Sequence, residues 1–473
     1  ADLTRKWYYQ AHVNDTNKNN VSNANVSIHL NNNSLLTTLI TDLSGNTAIY
    51  EITEYTNNGG TKTYYTPYTI TAINNTAVGF HRDYNITLSA LDIITIDVGY
   101  PQISFASNTD SGTLGKDSIF INVSTTDISN ISTFIDFDDS LVNWYRFDEG
   151  NGTTDFLGRN NGTLNGNASQ TSVGKFGKGM SFDGDEDYID FGNVENSLNG
   201  NFTWSIWIYL RKFVAGSAVP IINKAQLAAK GISFDITSGL TPTLRVIDWG
   251  AYTSVYSATI LQTNTWYHAV ITYDGTNITF YLDGNYDNSS TFSYNADTTS
   301  NLIAGFFVSV YANGTIDDIL IFNRSLNQEE IQSLYANISS RYLTNNFTNL
   351  AETQHSFKAY SQDTAGNVNV TETRTVSIDT LAPSNIQLFS PTPTNYSSGQ
   401  AQVTLNWTVT DNIDTTLDCY PVINNVEQSL ISTQNNSFAN TTLTLSGGIN
   451  NISVRCYDNA NNSNISEQRT YIT

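Results

Sequence analysis

Acidic residues are the side chains of this sequence most able to do chemistry. The densest cluster runs from Asp183 to Asp187, and a second pair, Asp317-Asp318, lies where apolar and polar residues alternate. Two carboxylates about 5 Å apart are what retaining glycosidases use to cleave a sugar linkage. Asp317-Asp318 has no third acid beside it. A glycosidase hypothesis would have to rest on these two clusters.

Histidine and cysteine offer no further catalytic centre. No G-x-S-x-G motif presents a serine nucleophile, and nothing marks a reactive thiol. Nucleophilic catalysis therefore lacks support. The histidines are scattered, without the spacing of metal ligands: His12, His29, His81, His268 and His355.

Three aromatic residues form the most suggestive binding group. Trp249, Tyr252 and Tyr256 fall close together in VIDWGAYTSVYSATI, and exposed rings at such positions would stack on the faces of pyranose sugars. Aromatic residues are common throughout the chain, so core packing or strand pairing is the alternative interpretation. We predict ligand binding at these three positions and keep the alternative open.

The composition predicts an all-β chain. The 473 residues are rich in Asn, Thr, Ser, Tyr and Ile, with alternating strand patterns throughout, and only 325–336 has a helical pattern. The net charge of −22 argues against nucleic acid, which requires a basic partner. No segment approaches the roughly 18 apolar residues of a membrane span. The chain begins at Ala1 without Met and stops inside strand-like sequence, so we interpret it as processed or cut from a longer protein.

N-x-S/T sequons are more abundant than the Asn, Ser and Thr content alone explains. Their density favours N-glycosylation of an exported, extracellular or cell-surface protein, although Asn-rich turns also create sequons by accident. Such density in an Asn/Thr-rich chain resembles archaeal cell-surface glycoproteins. The predicted glycan-bearing residues are Asn122, Asn201, Asn277, Asn313, Asn346, Asn406 and Asn451.

The segment from Gly314 to Asn337 reads as a strand followed by a short helix. Apolar residues alternate along the strand, and Ser325 with Gln328 has the form of a capping box. This run resembles the closing strand and helix of laminin-G-like jelly rolls, in the concanavalin A-like lectin/glucanase superfamily.

Three upstream stretches agree with this resemblance and occur in the right order. Val142–Gly152 resembles the opening strand, and Gly177–Asn193 resembles the family's F-D-G-x-x-D-Y-I/V segment. Thr265–Gly284 resembles the central hairpin, with a turn at Asp274-Gly275. Together these motifs predict a jelly roll over residues 141–340.

The first 99 residues predict a separate β-sandwich. NANVSIHL, TDLSGNTAIYEI and TPYTITAINN follow one another as strand and turn segments. Their order resembles the prealbumin-like sandwich of carboxypeptidase-regulatory and collagen-binding-B-type modules.

An internal repeat defines the remaining domains. INVSTTD (121–127) matches LNWTVTD (405–411) at a constant offset of 284, whereas DTAGNVNVTETRT (363–375) matches DNANNSNISEQRT (458–470) at an offset of 95. The difference is about the length of the jelly roll. We therefore predict an immunoglobulin-like domain, 100–140 plus 341–380, whose loop carries the jelly roll as an insertion.

The second copy, residues 381–473, is predicted to be an uninterrupted immunoglobulin-like domain. It resembles bacterial and archaeal modules that end in Y-x-x-D-x-A-G-N. Both cysteines of the chain, Cys419 and Cys456, lie in it. In an exported chain they would form a disulfide, and the alternative is a pair of buried thiols.

The jelly-roll resemblance also implies a metal site and bears on catalysis. Relatives often hold a structural Ca²⁺, and the resemblance places it at Asp155, Asn160 and Asp317, with Asp183 in reserve. Laminarinase-like members carry their catalytic acids in an E-x-D-x-x-E run, which this sequence lacks. We therefore expect that the chain is not an enzyme.

The predicted function is adhesion or recognition by a glycosylated surface protein. The jelly roll would bind cell-surface glycans or proteins, and the immunoglobulin-like domains would act as spacers. One alternative is a structural subunit of a surface layer or filament, in which copies of the chain contact one another. Another is an accessory region of a larger carbohydrate-active enzyme. Fold resemblance alone does not choose among these functions.

Overall fold

Nearly all regular structure is β-strand in the computed structural model, which describes residues 3–15, 18–32, 34–74, 77–96, 99–194, 200–213, 216–226, 229–391 and 402–473. The predicted all-β class is confirmed. The one helix among these residues is seven residues long, so no described helix could cross a membrane.

Two four-stranded sheets form the N-terminal part. Their strands are β1 (Leu3–Asp15), β2 (Asn25–His29), β3 (Leu35–Ile40), β4 (Tyr50–Asn58), β5 (Thr61–Tyr64), β6 (Tyr68–Asn74), β7 (Ala77–Tyr84) and β8 (Ala90–Ile96). The sheet orders are β5-β4-β1-β8 and β3-β2-β6-β7. Alternate residues of β1, β2 and β6, such as Val13, Val26 and Ile70, meet in a shared apolar core.

Four strands follow before the jelly roll: β9 (Gln102–Phe105), β10 (Gly112–Leu114), β11 (Ser118–Thr126) and β12 (Ile131–Phe137).

The described residues of the jelly roll form seventeen strands and the helix. They are β13 (Leu141–Tyr145), β14 (Thr163–Asn165), β15 (Ser169–Thr171), β16 (Gly179–Asp183), β17 (Tyr188–Asp190), β18 (Phe202–Leu210), β19 (Val219–Gln226), β20 (Lys230–Ile236), β21 (Leu244–Asp248), β22 (Thr253–Tyr256), β23 (Trp266–Tyr273), β24 (Asn277–Leu282), β25 (Asn285–Thr291), β26 (Ile303–Ala304), β27 (Phe306–Phe307), β28 (Val310–Tyr311), β29 (Asn313–Phe322) and α1 (Gln328–Leu334).

Two large sheets build this jelly roll around one apolar core. One has the order β15-β16-β29-β18-β23-β24-β25, with β13 also paired to β29, and the other has the order β14-β17-β26-β19-β20-β21-β22. The opening and closing strands, β13 and β29, are antiparallel neighbours. Asp274 closes the central hairpin by accepting from the backbone N–H groups of Thr276 and Asn277, so the predicted turn is confirmed.

The helix cap differs from the predicted Ser325/Gln328 box. Helix α1 begins at Gln328, and Asn327 is its N-cap. The Asn327 side chain accepts from the N–H of Glu330 at 3.0 Å, and the Glu330 carboxylate accepts from the N–H of Asn327 at 3.1 Å. Arg324 fixes this carboxylate through two further hydrogen bonds. The predicted box was wrong because the half-buried Arg324 holds the buried carboxylate of Glu330, and this pair selects the later register.

Strands after the jelly roll share sheets with strands before it. They are β30 (Ser340–Thr348), β31 (Gln354–Asp363), β32 (Val368–Val370) and β33 (Arg374–Ile378). The sheet orders are β10-β33-β31-β12 and β30-β11-β9, with β32 paired to β31. A jelly roll inserted into another domain requires such pairing. The boundaries of the four domains given from the sequence stay a prediction.

Two sheets form the C-terminal part. Their strands are β34 (Ser384–Ser390), β35 (Gln402–Thr410), β36 (Thr416–Ile423), β37 (Val426–Glu427), β38 (Ile431–Gln434), β39 (Ala439–Thr444), β40 (Ile449–Tyr457), β41 (Ser463–Ile465) and β42 (Arg469–Ile472). The orders are β34-β35-β39 and β37-β36-β40-β41, with β38 beside β36 and β42 beside β40. Trp407 lies in the core between them. Cys419 and Cys456 are paired neighbours on β36 and β40 and form the predicted disulfide.

The chain divides into two compact units. The first comprises Ala1–Phe105, Val123–Leu343 and Lys358–Glu372, and the second comprises Ala106–Asn122, Thr344–Phe357 and Thr373–Thr473. The N-terminal sheets and the jelly roll thus lie in the first unit, and the C-terminal sheets lie in the second.

Candidate functional site

The three predicted aromatic residues lie at and beside the turn from β21 to β22. Tyr252 is 56% exposed, and Tyr256 is 46% exposed. Trp249 is half-buried, and its indole N–H donates to Ser233 Oγ at 2.7 Å. The Trp249 ring contacts Tyr252 edge-on, with 5.8 Å between centroids, and lies 4.8 Å from Phe307. The turn therefore presents one fixed ring and two exposed ones.

A polar pair lies beside these rings on the same sheet. Asp235 of β20 is registered against Arg245 of β21, and Arg245 is registered against Tyr256 of β22. Arg245 donates to both carboxylate oxygens of Asp235, at 2.8 and 2.7 Å. Burial raises the pKa of Asp235 to about 6, and the hydrogen bonds and charge of Arg245 act in the opposite direction. We call Asp235, Arg245, Trp249, Tyr252 and Tyr256 the β20–β22 face.

Sequence reasoning missed Asp235 and Arg245 of this face, and it missed Phe307, which contacts the Trp249 ring. Period-two alternation in β20 and β21 was the available signal, because Asp235 and Arg245 alternate with core residues such as Phe234 and Val246. Phe307 gives no such signal, since it reaches Trp249 from a short hairpin far along the chain.

Asp155 organises a loop through its carboxylate, which is fully occupied by N–H donors. It accepts from the Asn143 side chain at 2.8 Å and from the backbone N–H of Trp144 at 3.0 Å. It also accepts from the backbone N–H groups of Leu157, Arg159 and the predicted ligand Asn160. These donors compete with a cation for the same oxygens.

Asp317 and Asp318 lie in a bulge of β29. The pairing of β29 with β18 shifts register here, and Asp318 has φ +42°. Asp317 accepts from the backbone N–H groups of Lys175 and Phe176 at 2.6 and 2.9 Å. Asp318 accepts from the Trp144 indole at 2.7 Å and from Gln362 at 3.2 Å. Both carboxylates are buried and join distant segments, and burial is the main cause that raises the pKa of each.

Of the predicted calcium ligands, Asp155 and Asp317 thus serve as hydrogen-bond acceptors, whereas the backbone N–H of Asn160 is one of the donors to Asp155. The reserve residue, Asp183, is exposed in the turn from β16 to β17 and accepts from the N–H of Asp185 at 2.8 Å. The group of described acids whose oxygens lie within 4.8 Å of one another contains none of Asp155, Asp317 and Asp183. Calcium binding at Asp155, Asn160 and Asp317 stays a prediction that the geometry does not favour.

A cavity of about 420 Å³ lies beside Arg146. The Arg146 guanidinium donates to Asp148 at 2.9 Å and to Glu149, and it lies 5.2 Å from the centre of the Phe156 ring. The N–H of Lys178 donates to Asp148 at 2.7 Å. Burial raises the pKa of Asp148 to about 7. The residues that line this cavity include none of the predicted metal-binding or ligand-binding residues.

The predicted glycosylation sites differ in accessibility. Asn201 and Asn346 are exposed, whereas Asn122, Asn277, Asn313, Asn406 and Asn451 are half-buried. Asn313 is the most constrained among them. Its amide nitrogen donates to the Asp183 carbonyl, and its Oδ1 accepts from Arg211 Nε at 3.0 Å.

Comparison with known proteins identifies the jelly roll. Residues 183–332 match the family model described as the concanavalin A-like lectin/glucanases superfamily. Comparison with curated proteins gives no match. The predicted jelly-roll fold is therefore confirmed as concanavalin A-like.

Similar solved structures share little sequence with this chain. Domain 4 of AbnA, a GH43 extracellular arabinanase from Geobacillus stearothermophilus in complex with arabinotriose, has 18% identity and a TM-score of 0.37, covering 42% of this chain and 98% of that one. The botulinum neurotoxin type G receptor binding domain has 14% identity and a TM-score of 0.34, covering 71% and 79%. Trypanosoma rangeli sialidase in complex with 2,3-difluorosialic acid has 12% identity and a TM-score of 0.34, covering 66% and 68%.

Replacing Asp318 with Asn should flatten the pH dependence of jelly-roll stability. Burial and neighbouring carboxylates raise the pKa of Asp318 above its ordinary value of 3.8. As pH rises above 3.8 toward the raised pKa of the folded chain, the folded chain holds a proton that the unfolded chain has released, so the free energy of unfolding falls. Asp318→Asn removes this contribution, and Asn tolerates the positive φ. Tryptophan fluorescence during thermal unfolding measures the effect, because five of the seven tryptophans lie in the jelly roll.

Asp317→Asn is the matched control. The N–H groups of Lys175 and Phe176 share Oδ2 of Asp317, and the N–H of Asp318 donates to Oδ1. An amide at this position has one acceptor oxygen and leaves one of these two donor sites without a partner, so we expect stability about 1–3 kcal/mol below that of Asp318→Asn. A pH slope equal to that of the unchanged protein in Asp318→Asn would contradict the assignment.

Glycan occupancy should follow the accessibility of the amide nitrogen. We expect glycans on Asn201 and Asn346 and none on Asn313, whose side chain is held on both sides. Mass spectrometry of glycopeptides from the native protein measures the occupancy. A fully glycosylated Asn313 in folded protein would contradict the expectation.

Proposed function

We propose that the chain is a non-enzymatic extracellular recognition protein whose jelly roll binds carbohydrate through the β20–β22 face. The observation that carries this proposal is the pair of exposed rings, Tyr252 and Tyr256, beside the Asp235–Arg245 pair on a concanavalin A-like jelly roll. A pyranose has apolar C–H faces and a hydroxyl rim. Exposed tyrosines suit the faces, and the half-buried Arg245 guanidinium, which Asp235 holds in place, suits the rim.

Two acids, Asp235 in the β20–β22 face and Asp248 next to Trp249, support binding without hydrolysis. Both oxygens of Asp235 accept from Arg245. Asp248, at the end of β21, accepts from the backbone N–H groups of Gly250 and Ala251. Retaining and inverting hydrolysis both need two carboxyl groups that face the sugar. These two acids instead hold an arginine and a turn.

The rest of the chain supports an extracellular setting. The disulfide between Cys419 and Cys456 suits an oxidising compartment. The exposed sequon residues, Asn201 and Asn346, are accessible for glycan attachment. In this proposal the flanking β-sandwiches act as spacers and the jelly roll makes the contact.

Removing one exposed ring should weaken carbohydrate binding. The full chain is screened on a glycan array, and the strongest hit is titrated by calorimetry. We expect Tyr252→Ala and Tyr256→Ala each to weaken binding about tenfold, which corresponds to about 1.4 kcal/mol.

Tyr286→Ala is the matched control, because Tyr286 is 58% exposed on β25 of the other sheet. Equal loss in this control, or no loss in the two face variants, would contradict binding at this face. Release of reducing sugar ends from a bound polysaccharide would contradict the non-enzymatic assignment.

A structural subunit of a surface layer or filament is the second candidate function. Two edge strands of the N-terminal sheets favour it, because they expose apolar residues. On β8, Leu91 and Ile93 are 55% and 56% exposed, and on β3, Leu35 and Ile40 are 59% and 61% exposed. An open edge with apolar side chains is a template for pairing with another chain.

Sedimentation over a concentration series, with negative-stain microscopy, separates the two functions. A persistent monomer supports recognition. Ordered filaments or sheets that Ile93→Lys disrupts would support the structural subunit, because a charge on the exposed edge opposes strand pairing. Ile128→Lys is the control, since Ile128 is 64% exposed and lies outside both edges.

A further inference from the structure

Three aspartates converge in the second compact unit at the ends of three strands. Asp379 follows β33, Asp411 follows β35 and Asp458 follows β40. One carboxylate oxygen from each lies within 4.8 Å of those of the other two. Like charges at such distances repel one another, and the repulsion grows with burial.

Asp379 distinguishes this cluster from an ordinary group of surface acids. Its side chain is fully buried, and neither carboxylate oxygen has a hydrogen-bond partner. Oδ2 of Asp411 is likewise buried without a partner. A buried carboxylate without a donor is costly, so the folded chain needs a positive charge or a proton at this point.

The other two aspartates are held in place by their own loops. Asp411 Oδ1 accepts from the N–H groups of Ile413 and Asp414, both at 2.9 Å. Asp458 accepts from the backbone and side chain of Asn462 at 2.8 and 2.9 Å. Each residue is thereby oriented before any ligand binds.

The internal repeat shows which of these features belong to the loop alone. Asp363, the counterpart of Asp458, accepts from the backbone and side chain of Asn367 in the same way, both at 2.8 Å. The Asp–Asn bonds are therefore a property of the turn. The unpartnered carboxylate of Asp379 is not explained by the turn, and it points to a ligand.

We infer that Asp379, Asp411 and Asp458 bind one Ca²⁺ ion. Calcium is a hard cation that takes six to eight oxygen ligands at about 2.3–2.6 Å, so two oxygens on one ion lie at most about 5 Å apart. The spacing of the three carboxylates meets this limit. Burial and the charges of Asp411 and Asp458 also raise the pKa of Asp379, to about 7, which agrees with a carboxylate that lacks its counter-charge.

The ion would fix the segment that leads into β34. Asp379 belongs to that segment, and its carbonyl already accepts from the Asn462 side chain at 2.7 Å. Asp411 and Asp458 lie in loops of the C-terminal sheets. Calcium would therefore join the incoming chain to these two loops. Without the ion, the Asn462 side chain holds the Asp379 carbonyl, whereas the three carboxylates repel one another.

Calorimetric titration of the full, EDTA-treated chain with CaCl₂ tests the site. We expect Asp379→Asn and Asp411→Asn each to weaken binding of one Ca²⁺ by at least about tenfold. Asp418→Asn is the matched control, because it removes the same charge from an exposed position on β36 of the same sheets. Absence of Ca²⁺ binding in the unchanged chain, or unaltered binding in both variants, would overturn the proposal.

Thermal unfolding separates a binding role from a merely structural one. In EDTA, Asp379→Asn should unfold at a higher temperature than the unchanged chain, because it removes an uncompensated buried charge. In CaCl₂ the order should reverse, because the variant has lost its ligand. Hydrogen exchange should show Ca²⁺-dependent protection at 379–383, 410–414 and 457–462 in the unchanged chain. The same order of stability in both conditions would overturn the proposal.

Discussion

The antiparallel pairing of β13 with β29 is the interaction on which the arrangement of the chain depends. Leu141 is registered against Phe322, so the chain enters and leaves the jelly roll at neighbouring points of one sheet. The flanking backbone continues this approach, since the N–H of Ile131 donates to the carbonyl of Ile338 at 2.8 Å. Strands from both sides can then share sheets. A domain with distant termini would hold these partners apart.

The buried carboxylates of Asp155 and Asp317 have hydrogen-bond donors, whereas that of Asp379 has none. Asp155 accepts five N–H groups, and Asp317 takes backbone donors from a loop far away in sequence. Such acids stabilise loops because the donors offset the loss of water. Asp379 has no donor on either oxygen. The same residue type therefore serves as a loop organiser in the jelly roll and as a candidate ligand in the second unit.

The sequence predicted the strands better than the roles of their side chains. Alternation and turn residues reveal a local backbone, so the Asp274 hairpin could be predicted. The cap of α1 could not, because the register depends on Arg324, which holds Glu330 from outside the helix. The role of Asp317 as a hydrogen-bond acceptor could not be predicted either, because its donors, Lys175 and Phe176, lie more than a hundred residues away in the sequence. A resemblance to a family predicts where a residue lies in the fold. It does not predict which hydrogen-bond partners the fold brings to that residue.

The internal repeat includes two of the three clustered aspartates, Asp411 and Asp458, but it did not predict that they meet Asp379. Asp411 and Asp458 follow strands in the second copy, and Asp127 and Asp363 occupy the matching positions in the first. The repetition indicates that these aspartates have a role in turns. The third member, Asp379, comes from the segment before the domain, and its buried carboxylate lies close to those of Asp411 and Asp458. A proton could neutralise only one of the three carboxylates, whereas a divalent cation is shared by all of them. Three converging acids with an unpartnered buried member therefore favour a cation over protonation.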